Sequence, residues 1–122
     1  MGLLYEELTG KILEVCFEVM NELGSGFLES VYEKALIIAL EQKGIKATSQ
    51  VPLSVKFRGK IAGEFFADIL VEDKIILEIK AVKALLPEHQ AQLINYLKAT
   101  GKDVGLLINF GKPKLEYRRL HR

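Results

Sequence analysis

Residues 66–80 read Phe66-Ala67-Asp68-Ile69-Leu70-Val71-Glu72-Asp73-Lys74-Ile75-Ile76-Leu77-Glu78-Ile79-Lys80. Two runs rich in β-branched residues flank a polar Glu72-Asp73 step, which reads as two strands joined by a turn. Three charged residues, Asp68, Glu78 and Lys80, interrupt surroundings made of Phe65, Phe66, Ile69, Leu70, Ile76, Leu77 and Ile79. Residues two apart on a strand project from one face, so Glu78 and Lys80 lie together. Taking Asp, Glu and Lys out of water costs several kcal/mol unless they are paired or bind a metal. Parity then sets a condition. With a strict two-residue turn at Glu72-Asp73, Asp68 would oppose Leu77 and point away from Glu78. The two carboxylates share a face only if an odd loop or a β-bulge separates them.

Working outward, Val51, Leu53, Val55 and Phe57 alternate with Pro52, Ser54, Lys56 and Arg58, which predicts a strand. Pro52 suits an edge or a strand start. Arg58-Gly59 makes a turn, Ile61 to Val71 a longer strand, and Lys74 to Lys80 a third. Pro87 opens a helix that runs to about Thr100 and stops at Gly101. The run within Asp103 to Phe110 predicts a buried strand, and Leu115 to Leu120 a last edge strand. Before all of these, Leu4, Leu8, Ile12, Val15, Val19 and Leu23 form a helical stripe, with Glu7, Glu14, Glu18 and Glu22 away from it. Gly24-Ser25-Gly26 breaks that helix. A second runs from Phe27 to Lys43, with Leu28, Val31, Tyr32, Ala35, Leu36 and Ala39 as its buried side, and Gly44 ends it. Two helices, three meandering strands, a crossover helix and a further strand imply an α/β fold with a mixed sheet. No internal repeat is present.

The 122 residues suffice for one domain, 1–122, with a single core. Hydrophobic residues make up 49% and charged residues 27%, the balance of a soluble globular chain. The longest uncharged apolar run, Ala35 to Leu40, falls far short of the roughly 18 residues a membrane span needs. Glu6 and Glu7 stand where a signal peptide would carry bases. Cys16 is the single cysteine, too few for an internal disulfide, and with two histidines it cannot build a zinc cluster. A reducing cytoplasm is the expected compartment. Net charge is +1, but residues 1–42 carry −6, residues 43–97 carry +2 and residues 98–122 carry +5. That basic end is either a phosphate-facing surface or a solvated tail. There is no phosphate loop, no nucleophile elbow and no zinc motif, and Gly24-Ser25-Gly26 follows a helix rather than a strand, so it is no dinucleotide fingerprint.

Asp68 and Glu78 offer the hard oxygen ligands that suit Mg²⁺, and Lys80 could orient a water or neutralise charge developing on a phosphate. The competing account is a cross-strand ion pair on a solvated face. Glu29 and Tyr32 are three apart on the second helix and share a face. A first-turn carboxylate also suits the helix dipole without any further role. Gln92 and Tyr96, four apart on the crossover helix, either form a polar helix side or reach a substrate phosphate or Lys80.

Gly26-x-x-Glu29-x-x-Tyr32, followed by Asp68, Glu78-x-Lys80 and Gln92-x-x-x-Tyr96, resembles the small GxxExxY proteins of the PD-(D/E)XK nuclease superfamily, with RecB-like motifs. The resemblance spans Tyr5 to Arg119. Ala67 stands where the superfamily name has proline. The resemblance implies an αβββαβ restriction-endonuclease-like core, a mixed sheet flanked by helices, with an extra N-terminal helix. It implies Mg²⁺- or Mn²⁺-dependent hydrolysis of nucleic-acid phosphodiesters, DNA being the first candidate. In that frame Asp68, Glu78 and the Ile79 carbonyl hold the metal, and Glu29 completes the site directly or through water. Lys80 positions the attacking water, and Gln92 and Tyr96 orient Lys80 or the phosphate. Tyr32, Lys83, Lys98, Lys102, Lys112, Lys114, Arg118 and Arg119 are further candidates for contact with nucleic acid. A catalytically silent fold acting as a nucleic-acid-binding or protein-interaction module is the alternative, and a partner for a larger DNA-processing system is a third. Apolar residues left over on the first two helices suggest a homodimer.

Overall fold

The computed structural model describes residues 4–122. The elements are α1 (Glu6–Leu23), α2 (Glu29–Gln42), β1 (Ala47–Phe57), β2 (Lys60–Val71), β3 (Ile75–Lys80), α3 (Pro87–Thr100), β4 (Val104–Asn109) and β5 (Glu116–His121). They form one five-stranded sheet in the order β1-β2-β3-β4-β5. Every neighbouring pair is antiparallel except β3 and β4, which run parallel because α3 carries the chain back between them. The α/β sandwich with a mixed sheet expected from the element order is the observed architecture. Among the described residues no helix is long and apolar enough to cross a membrane.

The sheet buries both faces. Ile69, Val71, Ile75, Leu77, Ile79, Leu106 and Ile108 face α1 and α2. Leu53, Ala67, Ile76 and Leu107 face Leu93 and Leu97 of α3. Each fully buried Leu or Ile contributes roughly 1.5–3 kcal/mol, so the two layers fix the central strands firmly. This two-sided burial is why β3 and β4 read as unbroken apolar runs rather than alternating ones.

Three helix details differ from the sequence expectation. α2 starts at Glu29, two residues later than Phe27, because Gly24 (φ 70°) and Gly26 (φ 113°) hold a turn that the chain leaves in extended backbone at Leu28. Its buried line is Tyr32, Leu36 and Leu40, while Leu28 is 77% exposed and Val31 also faces outward. Leu4 precedes α1 and is exposed, as is Leu23 at its last position, and the core takes Ile12, Val15, Cys16, Val19 and Met20. Steps of four advance about 40° beyond a full turn of a 3.6-residue helix, so a row of such steps leaves the core face at its ends. Arg58 (φ 51°) and Gly59 (φ 79°) turn β1 into β2, as expected. β1 begins at Ala47, four residues before Val51, as an edge strand whose polar Thr48-Ser49-Gln50 segment has no alternation to reveal it.

Candidate active site

The β2–β3 ladder pairs Val71 with Ile75, Leu70 with Ile76 and Ile69 with Leu77. Three residues, Glu72 to Lys74, make the turn, with Glu72 (φ 52°) and Asp73 (φ 58°) both left-handed. This is the odd loop that parity required, and it brings Asp68 opposite Glu78 on the α3 side of the sheet. The regular ladder ends at that pair. In its place the Asp68 N–H donates to Glu78 Oε2 at 2.8 Å, and the Ile79 N–H donates to Asp68 Oδ2 at 2.7 Å. The carboxylates therefore satisfy the main-chain donors that the interrupted ladder exposes.

Both acids sit in poor surroundings for charge. Glu78 is buried. Burial, and then the neighbouring Asp68 charge, push its carboxyl up to about 8. Burial raises the Asp68 carboxyl too, opposed by the hydrogen bond from the Ile79 N–H and supported by the charges of Glu33 and Glu29. The Tyr96 phenol is raised by burial and by the Glu78 and Asp68 charges, so α3 presents it toward the pair. Lys80 shares the Glu78 face and favours the ionised form of both acids. Its Nζ donates to Gln92 Oε1 at 3.4 Å, a long contact across to α3.

Glu29 reaches the same end of the sheet from α2, where its Oε1 accepts from the Ala81 N–H at 3.4 Å. It does not close a three-carboxylate cluster: among the described residues no three His, Cys, Asp or Glu side chains converge on one ion. The structure thus gathers Asp68, Glu78, Lys80, Gln92 and Tyr96, with Glu29 at the margin. The donor set fits a hard divalent cation. Mg²⁺ typically takes one or two protein carboxylates and completes its shell with waters and substrate phosphate. Two apposed carboxylates, each raised by burial and by other acids, could supply the protein part of such a shell.

Tyr32 is corrected. It is fully buried, stacked on Phe110 at 4.4 Å between ring centroids, and its hydroxyl donates to the Gly24 carbonyl at 2.6 Å. The same hydroxyl accepts from the Phe27 N–H at 3.2 Å. It pins the loop that introduces Glu29 and cannot touch a ligand. Lys102 is also displaced from the site. It precedes β4 at the far end of the sheet, where its Nζ donates to the Asp73 carbonyl at 2.8 Å. Of the other basic candidates, Lys112, Lys114 and Arg118 line one surface hollow around Glu116. Lys112 and Arg118 lie beside Glu116. Arg119 binds the Leu4 carbonyl, and Lys83, Lys98 and Lys114 are exposed.

Two residues were not singled out from sequence. Glu33, one turn after Glu29, accepts from Ser49 Oγ at 2.7 Å and Gln50 Nε2 at 3.0 Å, and its charge bears on both Asp68 and Glu78. Its i,i+4 spacing from Glu29 was the available signal. Asn109 is fully buried at the end of β4. Its Oδ1 accepts from the Val82 and Gly111 N–H groups, both at 2.9 Å, and its Nδ2 donates to the Val82 carbonyl and to Glu116 Oε1. It fastens the segment that leaves Lys80. The cost of burying a lone polar side chain in an apolar run was the signal available for it.

A family model described as the PD-(D/E)XK nuclease superfamily matches residues 6–120. The chain belongs to the PD-(D/E)XK nuclease superfamily. Two crystal structures share the fold. SSO0001 superposes with a TM-score of 0.61 at 21% identity, over 76% of this chain and 49% of that one. An alkaline exonuclease from Laribacter hongkongensis superposes with a TM-score of 0.55 at 15% identity, over 93% of this chain and 69% of that one. The chain thus spans about half the length of the first and a little over two thirds of the second. No curated protein is similar enough in sequence to count as a relative. The superfamily is one of nucleases, and its members typically use divalent metals.

Proposed function

We propose that this PD-(D/E)XK domain, residues 1–122, is a Mg²⁺- or Mn²⁺-dependent nuclease that hydrolyses DNA phosphodiesters. It would be a member of the GxxExxY group on the strength of Gly26, Glu29 and Tyr32. The observation that carries the proposal is the apposition of Asp68 and Glu78 at a break in the ladder, with Lys80 on the same face. Asp68 and Glu78 would hold the cation, with the Ile79 carbonyl as a further oxygen and Glu29 acting through water. A divalent cation bound there supplies Lewis-acid stabilisation and lowers the pKa of a bound water. Lys80 hydrogen-bonds the attacking water and the non-bridging phosphate oxygens, where negative charge accumulates during attack. Gln92 limits the swing of the Lys80 ammonium, and Tyr96 presents a phenol toward the phosphate. Lys83, Lys98 and Lys114 are proposed as backbone phosphate contacts.

The exposed Val31 and Ile38 on α2, with Leu28 just before it, support the homodimer, in which one site would serve each strand of a duplex. The buried, unpaired Cys16 is consistent with a cytoplasmic setting. The alternative is a silent module, or a partner of a larger DNA-processing assembly.

Calorimetric titration of Mg²⁺ and Mn²⁺ into wild type and Asp68→Ala, with cleavage of single-stranded, duplex and branched DNA and RNA by the same samples, tests the proposal. Binding and cleavage are expected in wild type and lost in the variant. No metal binding at millimolar concentration, with nucleic acid present, would transfer the chain to the silent-module reading. Lys80→Ala is expected to lower cleavage at least about 100-fold while leaving the circular dichroism spectrum unchanged; full activity would reject its role.

A further inference from the structure

Beside the carboxylate pair, the distal part of the β1–β2 hairpin leaves β3 behind and leans over α3. Between them lies an open groove of about 820 Å³, within the size range of ligand sites. Its wall on the hairpin side carries Phe65, and its α3 side carries Gln92, Asn95, Tyr96 and Lys98, with Lys56 at the rim. Gln92 and Tyr96 thus belong to both the groove and the acidic site. The Phe65 ring lies 5.6 Å from the Tyr96 ring, tilted by 41°, yet remains 42% exposed. Lys56 and Lys98 are exposed and make no ion pair among the described residues.

We infer that this groove is a subsite for an unpaired nucleotide of the strand being processed, with its base stacked on Phe65 and its phosphates beside Lys98 and Lys56. An exposed aromatic ring flanked by unpaired lysines is the combination that holds single strands. Every base offers a π-face to the ring, and the backbone offers phosphates to the cations. A paired duplex keeps its base faces stacked inside and presents only phosphates and groove edges, so it gains nothing from Phe65. Asn95 adds an amide that can bond a base edge of any identity. Because Gln92 and Tyr96 are shared, a nucleotide in the groove sets the adjoining phosphodiester near Asp68 and Glu78. What becomes of the strand rests on the nuclease reading of those acids; whether it binds does not.

Fluorescence anisotropy in EDTA, with labelled oligothymidylate, oligouridylate and a blunt DNA duplex, separates the two. Wild type is expected to bind at least one of the single strands, the two arms deciding between DNA and RNA. Phe65→Ala and Phe65→Leu are expected to weaken that binding about tenfold, and Phe65→Trp to keep it. Lys98→Gln is expected to weaken it and to reduce its salt slope by about one. Duplex binding should be indifferent to position 65. The subsite is overturned if Phe65→Leu binds single strands as wild type does, if duplex and single-strand binding fall together, or if neither single strand binds. Parallel assays in Mg²⁺ keep the readings apart. Cleavage that ignores position 65 would sink the subsite and leave the nuclease standing. Phe65-dependent binding with no cleavage of any substrate would keep the subsite and remove the nuclease.

Discussion

Glu78 shows how strongly one side chain can couple this fold to its solution conditions. Its carboxyl moves from an ordinary 4.5 to about 8 on folding, chiefly through burial. Between those values the folded, metal-free chain holds a proton that the unfolded chain has released. Stability in chelator is therefore full below 4.5 and falls as pH rises through about 8, by an amount of order a few kcal/mol. Asp68, raised in the same direction, adds to the slope. Urea unfolding of wild type and Glu78→Gln across that interval should show a decline in wild type that is much flatter in the variant. A pH-independent wild type would contradict the burial of the pair. Cys16 behaves differently. Its fully buried thiol is pushed up to about 12, so thiol reagents should modify it only on the time scale of unfolding. At this scale the sequence was informative through cost: Asp68, Glu78 and Lys80 were visible as charges in apolar strands. Glu33 was not, because an acid on a helix surface costs nothing until the fold sets it against others.

Among the elements, β3, α3 and β4 act as a unit, and two glycines on β4 and just after it measure how tightly. A Cβ on Gly105 would meet the Leu93 side chain at 2.9 Å, whereas one on Gly111 would meet the Val82 backbone at 2.3 Å. Leu93 can change rotamer and Val82 cannot move without dragging the segment behind Lys80. Gly105→Ala should therefore cost about 1–3 kcal/mol, and Gly111→Ala distinctly more, in denaturant unfolding. Equal costs would mean that the segment after β3 yields easily. Asn109→Leu removes four hydrogen bonds and strands buried main-chain groups of Val82, and should cost at least about 2 kcal/mol. It should also lower cleavage by loosening the segment behind Lys80. Element order and type were legible throughout, since the change from helical to alternating spacing is a local property. α3 begins at Pro87 and stops at Gly101 as its capping residues dictate. The start of α2 was misplaced because the turn before it depends on Tyr32 reaching back to the Gly24 carbonyl.

For the whole molecule, charge and apolar surface are distributed by the fold rather than by chain position. In sequence, the basic C-terminal stretch is either a phosphate-facing surface or a solvated tail. Folded, its bases meet Glu116, the Leu4 carbonyl and Asp103, while Lys98 lines the groove between the β1–β2 hairpin and α3. Binding of nucleic acid should accordingly show a shallow salt dependence, set by a few lysines rather than by all seven bases of residues 98–122. The exposed α2 line makes the homodimer testable. Sedimentation equilibrium should give twice the 13.7 kDa chain mass for wild type, and the monomer mass for Ile38→Asp. A monomeric wild type would dispose of the dimer.

By itself the sequence determined the succession of elements, the mixed sheet and the identity of the charged residues that the strands must bury. Periodicity and desolvation cost are written in neighbouring residues. It also contained the parity condition, because the side-chain period of a strand is two. The tertiary structure alone decided how the condition was met, through a three-residue turn of left-handed residues. It alone decided that Tyr32 serves the core, that Lys102 stands at the wrong end, and that Phe65 shares a groove with Tyr96. Those outcomes depend on which faces meet across the sheet, and contacts between residues far apart in the chain leave no trace in local spacing.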